Sequence, residues 1–231
     1  MKTYIDRRKV SSRASLATLM SVGGLLLLLA SVLLPLFIPA MATLSLLLLA
    51  AGGIIAMVGI YFSNRWVRKP RPEDSLGHAL KALDDHYRLY HYPKLPCDHL
   101  LLTPTGVIAM EVVNLAGSFS YRQGRWKEAM TIGRALRYIV EPRVADPVIV
   151  AQALKDELNG WFTAPPGIQA KVPIKILTVF THPDVDLEVE GAAFPACKVG
   201  KLRKQATVSA SRLDPETYEQ LASLLERHTL D

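Results

Sequence analysis

The sequence is poor in cysteine and lacks several motifs that would identify common enzyme classes. Cys97 and Cys197 are the only two cysteines among 231 residues. A disulfide-dense secreted scaffold is therefore excluded, and without a C-x-x-C pair neither structural zinc nor dithiol redox chemistry is expected. The sequence also has no G-x-x-x-x-G-K-[ST] phosphate loop, no G-x-S-x-G elbow and no H-E-x-x-H motif. These absences argue against an ATPase, a serine hydrolase and a zinc protease.

Charged side chains are absent from one long apolar stretch. No Asp, Glu, Lys or Arg occurs from residue 14 to residue 62. This length exceeds one membrane span of about 20 residues and suits two. We predict spans over 15–37 and 44–62, joined by a turn through Pro39 to Thr43. The predicted domains are a basic N-terminus at 1–14, a transmembrane hairpin at 15–62, a linker at 63–74 and a soluble domain at 75–231.

The positive charge of the chain is concentrated beside this hairpin. Residues 1–71 contain 9 of the 27 basic and 1 of the 21 acidic side chains, which leaves 18 basic and 20 acidic side chains for the rest. The soluble part is therefore slightly acidic, which argues against a nucleic-acid binder that works by bulk charge. Because Lys and Arg flank both outer ends and the turn has none, the positive-inside rule predicts a multi-pass cell-membrane protein whose termini and soluble domain are cytoplasmic.

Two features of the hairpin have alternative interpretations. A basic start, an apolar run and the Ala40-Met41-Ala42 triplet imitate a cleaved signal peptide, but the first run is longer than the usual signal segment and cleavage would leave a second span. Gly52 and Ala56 form a small-xxx-small pair, which would pack the two helices together or pair two copies of the protein. We expect the uncleaved hairpin, and leave both packing alternatives open.

The soluble part has the pattern of an α/β or α+β sandwich around one core. Apolar side chains at helical spacing and capping residues predict helices, and apolar runs between turn residues predict strands. The predicted helices cover 75–87, 147–162 and 214–228, and the predicted strands cover 98–102, 107–113, 118–121, 126–132, 172–180 and 196–199.

Two carboxylates flank the most informative of these segments. If the loop of the hairpin is Thr103 to Gly106, Leu102 pairs with Val107 and Asp98 lies opposite Glu111, with Cβ atoms about 4.5–5.5 Å apart. A three-residue loop would put the two acids on opposite faces. Two ionised acids this close need a cation or a proton between them, and oxygen ligands suit Mg²⁺ or Mn²⁺. The alternative is that both acids are simply solvated at the edge of the sheet.

The stretch from Cys97 to Asn114 resembles the nuclease-related domain, NERD, whose fold is that of the PD-(D/E)xK nucleases. The residues that carry the resemblance are Asp98, the Thr103 to Gly106 turn, Glu111, Asn114, Gly117, Gly124, Trp126, Asp146-Pro147 and Gln152. It covers about residues 76–202 and implies a mixed sheet flanked by helices. It also implies a nuclease site in which Asp98, Glu111 and the carbonyl of Val112 hold Mg²⁺ or Mn²⁺, while Gln152 positions the phosphate.

The sequence departs from the family pattern at two positions. The pattern has a lysine two residues after the glutamate, where this chain has Val113, and valine neither orients water nor stabilises charge on a phosphate. The early helix of the family begins with Gly-Glu, whereas here Gly77 precedes His78, an imidazole that would replace a carboxylate at the metal. Lys155, one turn after Gln152, is a candidate to return a lysine to the site.

Basic residues beside the acid pair predict a nucleic-acid surface. Arg122, Arg125 and Lys127 surround Trp126, whose ring would stack on bases. This cluster continues with Arg134, Arg137 and Arg143, and a second cluster contains Lys198, Lys201, Arg203, Lys204 and Arg212. The alternative is a solvated face toward the anionic inner leaflet.

Two functions therefore remain. One is a pseudoenzyme that binds nucleic acid or protein at the inner membrane face, with a second copy or an unknown protein as partner. The other is an active divalent-metal-dependent nuclease.

Overall fold

The chain consists of an apolar helical hairpin and a mixed α/β domain. A computed structural model describes residues 1–130, 143–163, 172–191, 194–207 and 212–230. The contacts divide it into two compact units. The hairpin forms one unit over residues 7–71, and the other contains the first six residues together with most of the chain after residue 71.

The hairpin consists of two long helices joined by a short turn. Helix α1 covers Arg7–Phe37, a 3-10 turn covers Pro39–Met41 and α2 covers Ala42–Trp66. Both helices are long and apolar enough to cross a membrane, and most of their large apolar side chains are exposed within the chain. An exposed apolar surface of this extent suits lipid rather than water. Helix α1 begins well before the predicted residue 15, because the Arg, Lys and Ser residues of its first turns are compatible with a helix.

Small residues at seven-residue spacing form the contact between α1 and α2. The spacing of seven predicts a left-handed supercoil. The buried positions are Val10, Ala17, Gly24 and Ser31 on α1, and Gly52, Gly59 and Trp66 on α2. A Cβ atom added to Gly24 would lie 2.5 Å from the backbone nitrogen of Ala56. Gly52 and Ala56 therefore pack against α1 of the same chain, which is the first of the two alternatives.

The α/β domain is built on a six-stranded mixed sheet. Its strand order is β1-β2-β3-β4-β7-β9. β2, β3 and β4 are antiparallel neighbours, whereas β1 pairs with β2, β7 with β4 and β9 with β7 in parallel. The strands cover Lys2–Ile5 (β1), Arg88–His91 (β2), His99–Thr103 (β3), Gly106–Val113 (β4), Ile174–Phe180 (β7) and Ala196–Lys198 (β9).

A second, three-stranded sheet has the order β6-β5-β8. It comprises Gly117–Arg122 (β5), Arg125–Glu128 (β6) and Val185–Val189 (β8). Phe119 of β5 and Trp126 of β6 stack, with ring centroids 5.7 Å apart. Both rings join an apolar cluster with Phe180 at the end of β7, so this cluster attaches the small sheet to the large one.

Helices cover both faces of the large sheet. Helix α3 is Pro72–Leu80, α4 is Pro147–Thr163, α5 is Leu202–Ala206 and α6 is Pro215–Leu230, with a 3-10 turn at Val199–Lys201. One core lies between the sheet and α4 and α6, and a second core lies between the sheet and α3 and α5. The predicted α/β class, with a mixed sheet flanked by helices after two apolar helices, is confirmed and is consistent with a nuclease-like fold.

Several predicted boundaries are wrong for identifiable reasons. Helix α3 begins at Pro72 rather than residue 75, because proline suits the first helical position and Glu73 and Asp74 complement the positive end of the helix dipole. It ends at Leu80, before the turn that leads to β2. The four-residue strands β1 and β2 were not predicted, and neither was β8, because a short strand has too little apolar alternation to be distinguished from a loop.

Candidate functional site

The hairpin of β3 and β4 has the predicted register. Leu102 pairs with Val107, and the ladder continues to Thr103 and Gly106. The turn is therefore only Pro104 and Thr105, one residue shorter at each side than the predicted loop. Gly106 has φ +143°, and a Cβ atom there would collide with the carbonyl oxygen of Pro173. Glycine at this position thus allows the close approach of β4 to the residue that precedes β7.

This register brings the two predicted carboxylates to neighbouring positions. The last pair of the ladder is His99 with Met110, and the same register one residue further puts Asp98 opposite Glu111. Both residues are half-buried. Glu111 also pairs with Thr178 on β7. Glu111 and Thr178 are therefore neighbours on adjacent strands, and Asp98, directly before β3, continues this polar row on the other side of Glu111.

The polar positions interrupt an apolar sheet face. Because side chains alternate along a strand, Glu111 shares a face with Val107, Ala109 and Val113. The pair Ala109 and Ile176 belongs to the core under α4 and α6. On the other side, Val113 and Phe180 belong to the aromatic cluster of the small sheet. The pair Glu111 and Thr178 is thus a polar row between two apolar rows, each about 6.6 Å away along the strands.

Val113, which stands where the family pattern has lysine, is integrated into apolar packing. It contacts the cluster that contains Phe119, Phe180 and Val185, and its carbonyl accepts a hydrogen bond from the N–H of Thr181 at 3.0 Å. A lysine at this position would have to carry its ammonium out of an aromatic cluster. The environment of the side chain therefore suits the valine that is present.

The donor set at the polar row fits a cation that keeps much of its water. Within the described ranges, no group of three or more His, Cys, Asp or Glu side chains is placed to hold a metal ion. Mg²⁺ is, however, commonly bound through one or two carboxylates, with water and substrate phosphates as the other ligands. Asp98 and Glu111 supply that number of carboxylates. Thr178 is the neighbour of Glu111 on β7, and its hydroxyl has no hydrogen-bond partner within the described part of the chain. The residues thus fit a hydrated Mg²⁺ or Mn²⁺, and the ligand role of the Val112 carbonyl stays a prediction.

Gln152 and Lys155 lie together on α4, at a cavity of about 460 Å³. Both are exposed, and the Gln152 amide donates to the carboxylate of Asp156 at 3.0 Å. The cavity wall includes Ile176, which is the neighbour of Thr178 on the same face of β7. Asp98 and Glu111 are not among the residues that form this wall. That Lys155 belongs to the same site as Asp98 and Glu111 therefore stays a prediction.

The structure points to Glu73, which sequence reasoning missed, at the start of the helix that also carries His78. His78 is exposed in the last turn of α3. Glu73, in the first turn, has only 5% of its surface exposed and accepts a hydrogen bond from the Tyr92 hydroxyl at 2.8 Å. The N–H of Tyr92 donates to the carbonyl of Asp98 at 2.6 Å. Tyr92 thus connects Glu73 to the backbone of the site, and the sequence signal was the acidic residue directly after Pro72.

Tyr92 and two histidines form a buried polar cluster beside Asp98. His91 and His99 are paired across β2 and β3, with their Nδ1 atoms 2.9 Å apart. Burial lowers the pKa of His91 to about 4, and the negative charge of Asp74 offsets only part of this decrease. His91 is therefore neutral near pH 7. Tyr92 has φ +59°, a left-handed conformation that is unusual for a bulky residue.

The residues predicted to bind nucleic acid differ in how many contacts their side chains already make within the protein. Arg122 forms ion pairs with Glu188 and with Glu190, the latter at 3.5 Å. The Trp126 ring packs against Phe119, Phe180 and Phe194, and its indole N–H donates to the carbonyl of Val144 at 3.3 Å. Arg125 and Lys127 are exposed on β6. Arg134 and Arg137 lie outside the described residues, as does the predicted end of this strand at 131–132.

Comparison with known families identifies a domain in the α/β part of the chain. Residues 71–181 match the family model of the nuclease-related domain, NERD. The matched segment contains Asp98, Glu111, Gln152 and Lys155 and extends from the start of α3 to just after β7. No curated protein and no solved structure matches the chain.

Proposed function

We propose, from the premise that this chain carries a nuclease-related domain over residues 71–181, that it is a membrane-anchored, catalytically degenerate protein that binds nucleic acid without cutting it. The observation that carries this proposal is the packing of Val113 in an apolar cluster. Cleavage of a phosphodiester needs a group that orients water and stabilises the developing charge. Valine supplies neither, and the described residues that it packs against form an apolar cluster.

The position of Lys155 also favours loss of catalysis. It is exposed at a cavity whose wall includes neither Asp98 nor Glu111. A divalent cation, when bound, would supply electrostatic attraction for a phosphate. Asp98 and Glu111 are the residues that would hold it. In this proposal the site retains phosphate binding and has lost the proton-transfer and charge-stabilising part of the reaction.

The topology of the sheet supports an inner-face location. β1 precedes the apolar hairpin and β2 follows it, yet the two strands pair in one sheet. Two membrane spans between them would leave both strands on the same side. The basic residues that flank the hairpin favour the cytoplasmic side. We therefore propose that the domain acts at the inner face of the cell membrane.

An active nuclease is the second candidate, and the register of β3 and β4 favours it. That register, continued one residue beyond its last pair, puts Asp98 opposite Glu111, and a metal-dependent nuclease would need such a pair. In this alternative Gln152 or Lys155 positions the phosphate. The two candidates agree on binding and differ only in whether cleavage follows.

The deciding experiment uses the full chain in detergent micelles with labelled DNA and RNA and with Mg²⁺ or Mn²⁺. We expect the wild type to bind nucleic acid without cleaving it. Val113→Lys is expected to produce cleavage that is lost again when Glu111→Gln is added. Val112→Lys is the matched control, because it introduces the same ammonium on the other face of β4. Cleavage by the wild type that Glu111→Gln abolishes would reject the degenerate function in favour of the nuclease.

A further inference from the structure

Thr178 is a buried polar residue in an apolar sheet face, and the contacts that the structure describes give its hydroxyl no structural role. Only 3% of its surface is exposed. Its backbone N–H donates to the carbonyl of Pro195 at 2.7 Å, so the backbone is satisfied. The hydroxyl, in contrast, finds no hydrogen-bond partner within the residues that the structure describes.

A buried hydroxyl without a partner destabilises the fold. Its desolvation is not compensated, whereas a valine of the same shape would be neutral or stabilising at such a position. The neighbours of Thr178 along this face of β7 are Ile176 and Phe180, and both belong to apolar clusters. Packing alone therefore favours an aliphatic side chain here.

The position of Thr178 indicates which ligand its hydroxyl would contact. It is the partner of Glu111 in the parallel register of β4 and β7, and Glu111 lies opposite Asp98. The next residue on the same face, Ile176, lines the cavity of about 460 Å³ under α4. A ligand held against Glu111 thus has the hydroxyl beside it and a cavity within two residues along the strand.

We propose that Thr178 is a ligand-binding residue of this site, whose hydroxyl hydrogen-bonds to water in the hydration shell of a divalent cation held by Asp98 and Glu111. The inference rests on the proposed function for the position of the cation. It adds a hydroxyl on a third strand as a determinant of affinity. The hydroxyl binds a cation-bound water rather than the cation itself, which agrees with a site that has only two carboxylates.

The test measures Mn²⁺ binding by the full chain in detergent micelles, from the electron paramagnetic resonance signal of free Mn²⁺, together with Tm without metal. Thr178→Val removes only the hydroxyl, and we expect the Kd for Mn²⁺ to increase roughly 3- to 10-fold, the value of one hydrogen bond. We also expect Tm without metal to rise by about 2–4 °C, because an unsatisfied polar group is removed. Thr178→Ser should restore binding close to the wild-type Kd.

Thr229→Val is the matched control. Thr229 is equally buried, but its hydroxyl donates to the carbonyl of Leu225 at 2.7 Å. This variant should lose stability without metal and leave the Mn²⁺ affinity unchanged.

The proposal is overturned if Thr178→Val lowers Tm and leaves Mn²⁺ binding intact, since the hydroxyl would then have a structural role. It is also overturned if the wild type binds no Mn²⁺. In that case nucleic-acid binding is measured on the same preparation with a chelator. Binding that persists would leave the proposed function standing, whereas loss of binding as well would overturn both.

Discussion

The buried histidine pair predicts an unusual dependence of folding stability on pH. Burial lowers the pKa of His91 from its ordinary value of 6.5 to about 4. Below pH 6.5 the unfolded chain binds a proton that the folded chain excludes, so stability decreases as the pH falls and levels off near pH 4. At about 1.4 kcal/mol per pKa unit, the loss attributable to His91 between pH 7 and pH 4.5 is about 2 kcal/mol.

The measurement compares the wild type with His91→Asn, which does not titrate but keeps a polar atom near the position of Nδ1. Urea unfolding of the full chain in detergent, followed by tryptophan fluorescence, gives the free energy of unfolding at each pH. The neighbouring groups Asp74, Glu73 and Asp6 are present in both proteins, so the difference reports His91 together with its hydrogen-bonded partner His99. The exposed His78→Asn is the control and should follow the wild-type curve.

The expected result is a difference in pH dependence of about 2 kcal/mol between the wild type and His91→Asn. Parallel curves for the two proteins would refute the reasoning, because they would mean that His91 takes up its proton equally well in the folded and unfolded chain. A constant loss of stability in His91→Asn would give such parallel curves and would mean that His91 contributes only packing.

Two further predictions concern the hairpin and the basic strand. Gly24→Ala places a methyl group 2.5 Å from the backbone nitrogen of Ala56 and should destabilise the hairpin by about 1–3 kcal/mol; Gly23→Ala, with open space around it, should leave Tm in detergent unchanged. Lys127→Ala should weaken nucleic-acid binding and reduce the slope of log K against log salt by about 0.7–0.9. Arg122→Ala should have a smaller effect, because its guanidinium already pairs with two acidic side chains, and equal effects would contradict this difference.

The register of the β3–β4 hairpin was predictable because its determinants are local. Pro104 cannot adopt the positive φ of a type I′ loop, and Gly106, which directly follows the turn, has φ +143°, a conformation that other residues rarely adopt. Once the turn is fixed, alternation decides which face Asp98 and Glu111 share. The apolar hairpin was predictable for a similar reason, since the absence of charge over 14–62 is a property of the sequence alone.

The missed features depend on contacts between distant segments. Glu73 and Tyr92 are 19 positions apart and meet only because α3 packs on the sheet beside the end of β2. Thr178 reads as one polar residue in a buried strand until the parallel pairing with β4 puts it next to Glu111. β1 is separated from its partner β2 by the entire hairpin, and no local periodicity encodes that pairing.

The two candidate functions make different demands on the polar row. A domain that only preserved its fold would be more stable with an aliphatic side chain at Thr178, because this residue lies between apolar rows and is almost completely buried. A domain that cleaved phosphodiesters would need a charged donor at Val113, whose environment is aromatic and aliphatic. In the proposed function the chain meets neither demand: Asp98 and Glu111 would hold a hydrated cation, and Val113 would leave that cation without the group that cleavage requires. This combination is the physical reason to expect phosphate binding without cleavage.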